Sequence, residues 1–489
     1  MIPVQLIRDS APYISHPLAY IFNLSLETGK VPDEIKIAKV TPLHKKGPRE
    51  DPGNYRPISV LPVIGKVLEK LINIRLIQFL EKNDIFYYHQ YGFRKKYSTK
   101  LSLINLINST LKSIDQGKVT LGMFIDFKKA FDTINHNILL GKLSSYGIRG
   151  LPLEWVKDYL SNRFQFVQCG QTLSERKKIR CGVPQGSVLG PTLFLIYIND
   201  LPTVTDYFNF RLFADDSNLF HTFSADQGEI DVNEVNNNIQ KIHKWCTANK
   251  LTINSMKTNF MLICSRRKKI GINGKLKIAG EEIKEVDVAT FVGVHIDRHL
   301  SWKSHIRFVN QCIRKKVGVL FRLRHFVPSR TLILLYKAFI QPHISYGIEV
   351  WGSTYKTSLR SILYSQKMAV RAITFSEWRT PSDPLFKRLR ILNVYNLHDL
   401  SISTFMFDLV NGNLPHILIE YCDIIEHSYS TRQKEDGQLR LPKLRTTQGQ
   451  FSLSFVGSEF WNRLPVDVRL TRSRNRFRNS VTSHLLNKS

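Results

Sequence analysis

The chain has 489 residues, 43% of them apolar, enough for sizeable cores and about two to four domains and far from a disordered composition. Its 70 lysines and arginines outnumber 40 aspartates and glutamates, a formal charge of +30. Solubility alone needs only a modest charge of either sign, and a field this large repels itself unless a polyanion, most often nucleic acid, is bound. No run of 18 or more apolar residues marks a membrane span, and residues 1–9 lack the basic head and apolar core of a secretory signal. The six cysteines (169, 181, 246, 264, 312 and 422) are scattered without a C-x-x-C pair. That argues against a disulfide framework and a zinc site, and for a reducing, intracellular compartment, with nucleus and cytoplasm equally compatible.

Residues 1–40 carry mixed helical patterning that ends in a basic strand at 36–46, and 45–53 is a polar loop by composition. Ile64, Val67, Leu68, Leu71, Ile72 and Phe79 recur at helical spacing over 63–82, and Ile104, Ile107 and Leu111 share one face of a helix at 101–113. Met123-Phe124-Ile125-Asp126-Phe127 reads as a buried strand ending in an acidic residue, and helices follow at 136–146 and 152–162. Glycines and prolines break regular structure over 181–191, ahead of an apolar helical run at 192–200. A second apolar run ends in Phe213-Ala214-Asp215-Asp216, the tip of a hairpin. An Asn-rich amphipathic helix at 229–249 precedes strand-like stretches at 259–264, 275–279 and 290–296. Helices and strands mix without regular alternation, which predicts an α+β fold and not a doubly wound sheet. There is no internal repeat and no low-complexity tract.

The two acidic strand ends carry the chemistry. If their strands are neighbours in one sheet, Asp126, Asp215 and Asp216 converge at its end. Such a cluster repels itself without divalent cations, and hard oxygen ligands in this number suit Mg²⁺, with Mn²⁺ as a substitute. Two ions roughly 3.5–4 Å apart would stabilise the attacking and leaving oxygens of an in-line phosphoryl displacement, so the first reading is nucleotidyl transfer. Each part also has an ordinary reading. Asp-Asp in a turn is common surface punctuation, Asp126 fits a strand end that caps a helix, and 181–191 fits a plain strand-to-helix connection. Gln185 in the middle of that loop, however, has no packing role, and a Gly-rich loop opening a helix lets backbone approach a polyanion or a base pair.

These segments stand in one order with Asn54-Tyr55-Arg56-Pro57, Gln90-Tyr91-Gly92-Phe93-Arg94, Ser98-Thr99, Asp126-Phe127-Lys128-Lys129-Ala130-Phe131-Asp132, Leu251-Thr252-Ile253-Asn254, Lys257-Thr258 and Phe291-Val292-Gly293-Val294. In that order the chain resembles, over nearly its whole length, the reverse transcriptases of non-LTR retrotransposons (long interspersed elements), close to the jockey-like group. The resemblance implies a right-hand polymerase of fingers, palm and thumb that adds dNTPs to a primer 3′-hydroxyl on an RNA template. Its implied partners are template RNA, a DNA primer or nicked target DNA, and dNTPs.

The resemblance also implies residue roles. Asp126 and Asp215 would be the main ligands of two Mg²⁺ ions, with Asp216 supporting, and Asp132 a local hydrogen-bond acceptor. Phe131 stands where the family has a bulky ring under the incoming sugar, excluding a ribose 2′-hydroxyl; core packing is its other reading. Arg56 and Lys66 would bridge the triphosphate, although Lys66 also fits a solvated helix position. Gln185 and Gly186 would line the nucleotide pocket, and Lys257 would assist pyrophosphate departure unless it is a plain surface lysine. Phe291, Val292 and Gly293 match the hairpin that holds the primer end.

Beyond residue 300 the chain changes character. Residues 301–489 hold 29 lysines and arginines against 12 aspartates and glutamates, a net +17. A helix at 302–326 sets Ile306, Val309, Ile313, Val317, Leu320 and Phe321 on one stripe and Arg307, Arg314, Lys315, Lys316, Arg322 and Arg324 on other faces, as a thumb gripping a duplex by its phosphates requires; a solvated charged face is the alternative. Another helical segment covers 331–339. Nearer the end, Arg432, Arg440, Lys443, Arg445, Arg472, Arg474, Arg476 and Arg478 interleave with Phe451, Phe455, Phe460, Trp461 and Phe477. Rings among basic residues can stack on unpaired bases, and Trp461 can equally anchor a small core. The expected division is an N-terminal extension at 1–25, fingers and palm at 26–296, a thumb-like region at 297–380 and a basic, mostly helical region at 381–489. Full-length members of the family carry an endonuclease ahead of the polymerase, so a separate endonuclease is an expected partner. Two rivals stand beside this reading: another template-dependent polymerase, against which Phe131 argues, and a catalytically idle nucleic-acid-binding remnant, against which the intact aspartates argue.

Overall fold

Residues 118–125 are apolar almost without interruption, and that decides the architecture. A strand with one wet face alternates, whereas one buried on both faces reads as a continuous apolar run. The computed structural model, which describes residues 3–224, 230–268, 270–415 and 438–488, covers this strand on both sides. Its strands are β1 (Ile37–His44), β2 (Tyr55–Val60), β3 (Lys118–Ile125), β4 (Phe164–Cys169), β5 (Thr172–Leu173), β6 (Lys177–Lys178), β7 (Asn209–Phe213), β8 (Asp216–Ser224), β9 (Asn259–Ile263), β10 (Lys277–Ile278), β11 (Glu281–Glu282), β12 (Lys284–Glu285), β13 (Val288–Phe291) and β14 (Val294–Asp297). The central sheet has the order β12-β9-β3-β8-β7, with β3 antiparallel to both β8 and β9. A second sheet, β2-β1-β4-β5 with β6 also on β4, lies before it in sequence.

Side chains alternate across β3. Val119, Leu121, Met123 and Ile125 enter a core shared with the helices Val63–Lys82, His136–Ser145, Leu151–Leu160, Leu189–Ile198 and Val232–Ala248. Phe124 enters the opposite core, with the helix Thr99–Asp115, the β13–β14 hairpin and the helices from Lys303–Leu323 onward. The fold is α+β, as expected. No helix among the described residues is long and apolar enough to cross a membrane.

Most expected elements are present within about three residues at either end, and the helix at 63–82 is Val63–Lys82. Three differ. The stretch at 275–279 pairs only over Lys277–Ile278, and 290–296 falls within the two strands of a hairpin that turns at Val292-Gly293. The helical segment at 331–339 is Ser329–Leu335 continued by a π turn, Tyr336–Ile340. Glu229 and Arg432 lie outside the described residues.

The last segment is not a loose appendage. Phe477 is fully buried and Trp461 is 1% exposed, their rings 5.8 Å apart, with Phe407 4.6 Å from Phe477. These two rings build core and are closed to bases, which settles the alternative for Trp461. The backbone N–H groups of Arg445 and Thr446 donate to the buried Asp115 carboxylate at 3.0 and 2.7 Å, and Leu453 N–H donates to Asn108 Oδ1 at 3.1 Å. Side chains on both sides of residues 296 and 380 share one core, so neither position is a break in packing.

Candidate active site

Antiparallel pairing of β3 with β8 puts Ile125 opposite Ser217, so Asp126, the next residue, lies beside Asp216 at the start of β8. The β7–β8 hairpin turns through Ala214 and Asp215, with Phe213 paired to Asp216 and Ala214 at φ +53°. The sheet therefore brings the three aspartates to one end. Asp215 and Asp216 keep solvent contact. Burial raises the Asp215 carboxyl above the ordinary range, its own backbone N–H opposes this, Asp126 adds to it, and Arg56 and Lys45 pull it back. Asp216 is pushed up to about 6, first by burial and then by the charges of Asp215 and Asp126. Crowded carboxylates of this kind call for cations.

One cation is supplied by the chain. Lys257 Nζ lies 3.2 Å from Asp126 Oδ2, and Asn254 Nδ2 donates to the same oxygen at 3.1 Å. Asn254 N–H also donates to the Asp126 carbonyl at 2.7 Å, so the turn after β8 and the helix Val232–Ala248 returns to fix the end of β3. Among the described residues no three His, Cys, Asp or Glu side chains close on a single point in this conformation. The donor set is nevertheless of the hard-oxygen, anionic kind that Mg²⁺ takes, and Lys257 sits where a divalent ion would relieve the same charge.

The β1–β2 hairpin brings two cations, Arg56 and Lys45, within electrostatic reach of Asp215. Arg56 projects from β2, and Lys45 follows β1, its N–H donating to the Asn54 carbonyl at 2.8 Å. Lys45 was not among the residues expected here. Its basic neighbourhood was legible, but only the register His44↔Tyr55 turns it toward the site of Arg56. Lys66 is half-buried in the first turn of Val63–Lys82.

The loop at 182–187 is bound to the segment after Asp126. Val183 N–H donates to the Phe131 carbonyl at 3.0 Å and Gly182 N–H to the Ile134 carbonyl at 2.8 Å. Gln185 Nε2 donates to Asp132 Oδ1 at 2.9 Å, so Asp132 is a local acceptor, with its carboxyl raised by burial against the pull of Gln185 and Lys129. Ser59 N–H donates to the Gln185 carbonyl at 2.7 Å, which ties the same loop to β2. Phe131 is half-buried and stacks on Phe194 with centroids 4.5 Å apart, so its ring is held from the core side.

Glu69 is a second residue that sequence reasoning missed. It is 3% exposed, and it accepts from Val188 N–H at 2.6 Å, Leu189 N–H at 3.4 Å and the Tyr159 hydroxyl at 2.9 Å. It thus satisfies the open N-terminus of Leu189–Ile198 and fixes the loop before it. The signal was a glutamate on the buried stripe with Gly65, Leu76 and Leu80.

In the β13–β14 hairpin the Phe291 ring is 1% exposed and packs edge-on against Phe220, 6.2 Å between centroids, so it anchors the hairpin to the core. The tip is Val292-Gly293, where the Val292 carbonyl accepts from the Tyr346 hydroxyl at 2.6 Å. On Lys303–Leu323, Arg307, Arg314, Lys315 and Arg322 are exposed. Lys316 is instead occupied by His343 Nε2 at 2.8 Å, and Arg324, just past the helix, lies against the rings of Phe321 and Phe375 at 5.2 and 5.5 Å.

Residues 43–296, which include all three aspartates, match the family model for reverse transcriptase (RNA-dependent DNA polymerase). The chain is 28% identical over 390 residues to the probable RNA-directed DNA polymerase from transposon X-element of Drosophila melanogaster, covering 78% of this chain and 42% of that protein. It is 29% identical over 392 residues to the RNA-directed DNA polymerase from mobile element jockey of the same organism, covering 76% and 41%. The chain thus spans about two fifths of the length of these curated relatives. Among solved structures, apo telomerase from Candida tropicalis aligns over 86% of this chain and 73% of its own, at 13% identity and a TM-score of 0.41. The chain belongs to the reverse transcriptase family.

Proposed function

We propose that the chain is an RNA-directed DNA polymerase that adds dNTPs to a primer 3′-hydroxyl on an RNA template. The observation that carries this reading is the β3–β8 pairing that gathers Asp126, Asp215 and Asp216, with Arg56 and Lys45 in electrostatic reach of Asp215. Two Mg²⁺ ions, or Mn²⁺, held by Asp126 and Asp215 with Asp216 supporting, would activate the primer hydroxyl and neutralise charge on the triphosphate. Arg56 and Lys45, whose charges reach Asp215, would meet the incoming triphosphate and favour the leaving pyrophosphate. Lys257, paired with Asp126 in this structure, would be freed once that carboxylate held a metal and would then be able to donate a proton to the departing pyrophosphate. Phe131, braced on Phe194, is the floor under the sugar, and Gln185, oriented by Asp132, faces the same pocket.

In this reading the central sheet is the palm, the β1–β2 hairpin and Val63–Lys82 belong to the fingers, and the helices from Lys303–Leu323 form the thumb. The exposed Arg307, Arg314, Lys315 and Arg322 would grip the template–primer duplex, while Lys316 and Arg324 serve the thumb's own packing. The test is extension of a DNA primer on an RNA template with dNTPs and Mg²⁺, beside an Asp215→Ala, Asp216→Ala double variant. Extension by the wild type alone supports the reading. A folded wild-type chain that binds template–primer and extends nothing would identify an idle remnant.

A further inference from the structure

The turn that carries Asp215 and Asp216 is strained, and something must hold it. Ala214, 3% exposed, sits at φ +53°, a conformation that residues with a Cβ enter only at a cost. On one side the turn is closed by its own hairpin, Phe213↔Asp216. On the other side lies 89–92, a segment outside every sheet. Tyr91 N–H donates to the Leu212 carbonyl at 2.8 Å and Leu212 N–H donates to the His89 carbonyl at 3.0 Å, a single parallel bridge between Gln90 and Leu212. From that bridge the Gln90 side chain, 2% exposed, reaches the turn: its Oε1 accepts from Ala214 N–H at 3.1 Å and from Gly92 N–H at 2.9 Å. Gly92 lies so close that a Cβ there would stand 2.5 Å from the Ala214 nitrogen.

We propose that Gln90 is a positioning residue for catalysis, its side-chain carbonyl clamping the Ala214 amide so that the turn presents Asp215 and Asp216 toward Asp126. This inference rests on the polymerase reading above. The physical reason is that Ala214 N–H is buried at the hairpin tip and has no ladder partner there. Satisfied by Gln90, it fixes the left-handed turn. Left without an acceptor, it favours a relaxed turn in which the two carboxylates point elsewhere. The amide nitrogen of Gln90 has no partner among the described residues, so the oxygen alone does the positioning.

Gln90→Met keeps length and bulk but removes the acceptor, and Gln90→Glu keeps an acceptor oxygen on a side chain of the same shape as the amide. Both variants are made in the full chain, and Mn²⁺ binding is read by the loss of free-ion paramagnetic signal alongside primer extension. Gln90→Met should lower kcat by about tenfold to a hundredfold with the dNTP KM little changed, and should weaken Mn²⁺ binding in parallel. Gln90→Glu should recover most of both. A core variant with a comparable loss of melting temperature, Ile402→Ala, should lose neither, since Ile402 is buried on the helix Val394–Val410, which carries no residue of the proposed site. Wild-type Mn²⁺ affinity and kcat in Gln90→Met, or an equal loss in Gln90→Glu and Ile402→Ala, would overturn the proposal. If the wild type itself extends no primer, the polymerase reading fails, and the Mn²⁺ comparison still decides whether Gln90 sets the carboxylates.

Discussion

Gly186 is where a single methyl group should do the most damage for its size. Its φ is +123°, and a Cβ there would lie 2.4 Å from the Ser59 carbonyl oxygen. That oxygen cannot give way easily, because β2 is held to β1 through the pairing of Val40 with Ser59. The loop must move instead, which breaks the 2.7 Å bond from Ser59 N–H to the Gln185 carbonyl. Placing a Cβ in that conformation costs about 1–3 kcal/mol, and stranding the buried Ser59 donor costs about 1–3 kcal/mol more. The expected loss for Gly186→Ala is therefore about 2–6 kcal/mol, with a raised dNTP KM because Gln185 moves with the loop. Gly170→Ala is the control: φ there is +61° and no atom stands within 4 Å of the added methyl group, so only about 1 kcal/mol should be lost. Denaturant unfolding of both variants, followed by dNTP titration of primer extension, measures the difference. If Gly186→Ala is no less stable than Gly170→Ala and its KM is that of the wild type, the reasoning from the Ser59 carbonyl is wrong.

Phe131→Val should shrink the floor under the sugar and raise ribonucleotide incorporation relative to dNTPs by about 10–200-fold, read as a ratio of kcat/KM values; an unchanged ratio would return Phe131 to core packing alone. Because the folded-state pKa of Asp216 is raised to about 6, the native chain holds that proton more tightly than the unfolded chain, and stability of the metal-free protein should fall as pH rises from about 4 through 6. Asp216→Asn should flatten that slope and raise the melting temperature at pH 7.5 while impairing extension, and a slope as steep as the wild type's would count against the charge cluster. Asp115→Ala should cost about 2–4 kcal/mol by stranding the N–H groups of Arg445 and Thr446, whereas a surface change of the same kind costs about 0.5 kcal/mol or less. Removing residues 438–489 should expose the core around Phe407 and yield an aggregating protein, and a monomeric, cooperatively folding truncation would contradict the packing of this segment into the core it shares with Val394–Val410.

Helical periodicity placed Val63–Lys82 and an unbroken apolar run placed the strand before Asp126, because both are read from side chains that meet water or core within one element. The identity of the metal-binding candidates was equally local: acidic residues at the ends of apolar runs stand out whatever surrounds them. Residues that act across elements were not legible in this way. Lys45 joins Arg56 only through the register of β1 on β2, and Glu69 caps a helix that begins 120 residues later. Phe291 belongs to a motif at a hairpin, and only the pairing of β13 with β14 turns its ring inward. Trp461 and Phe477 were open to two readings until the helix Val394–Val410 closed over them. By itself, then, the sequence determined the α+β class, the strong positive charge and the three aspartates at the ends of apolar runs, since composition and short-range pattern carry those. The tertiary structure decided which cations face the aspartates and which rings are buried, because strand register and helix packing set side-chain direction over distances that no local pattern encodes.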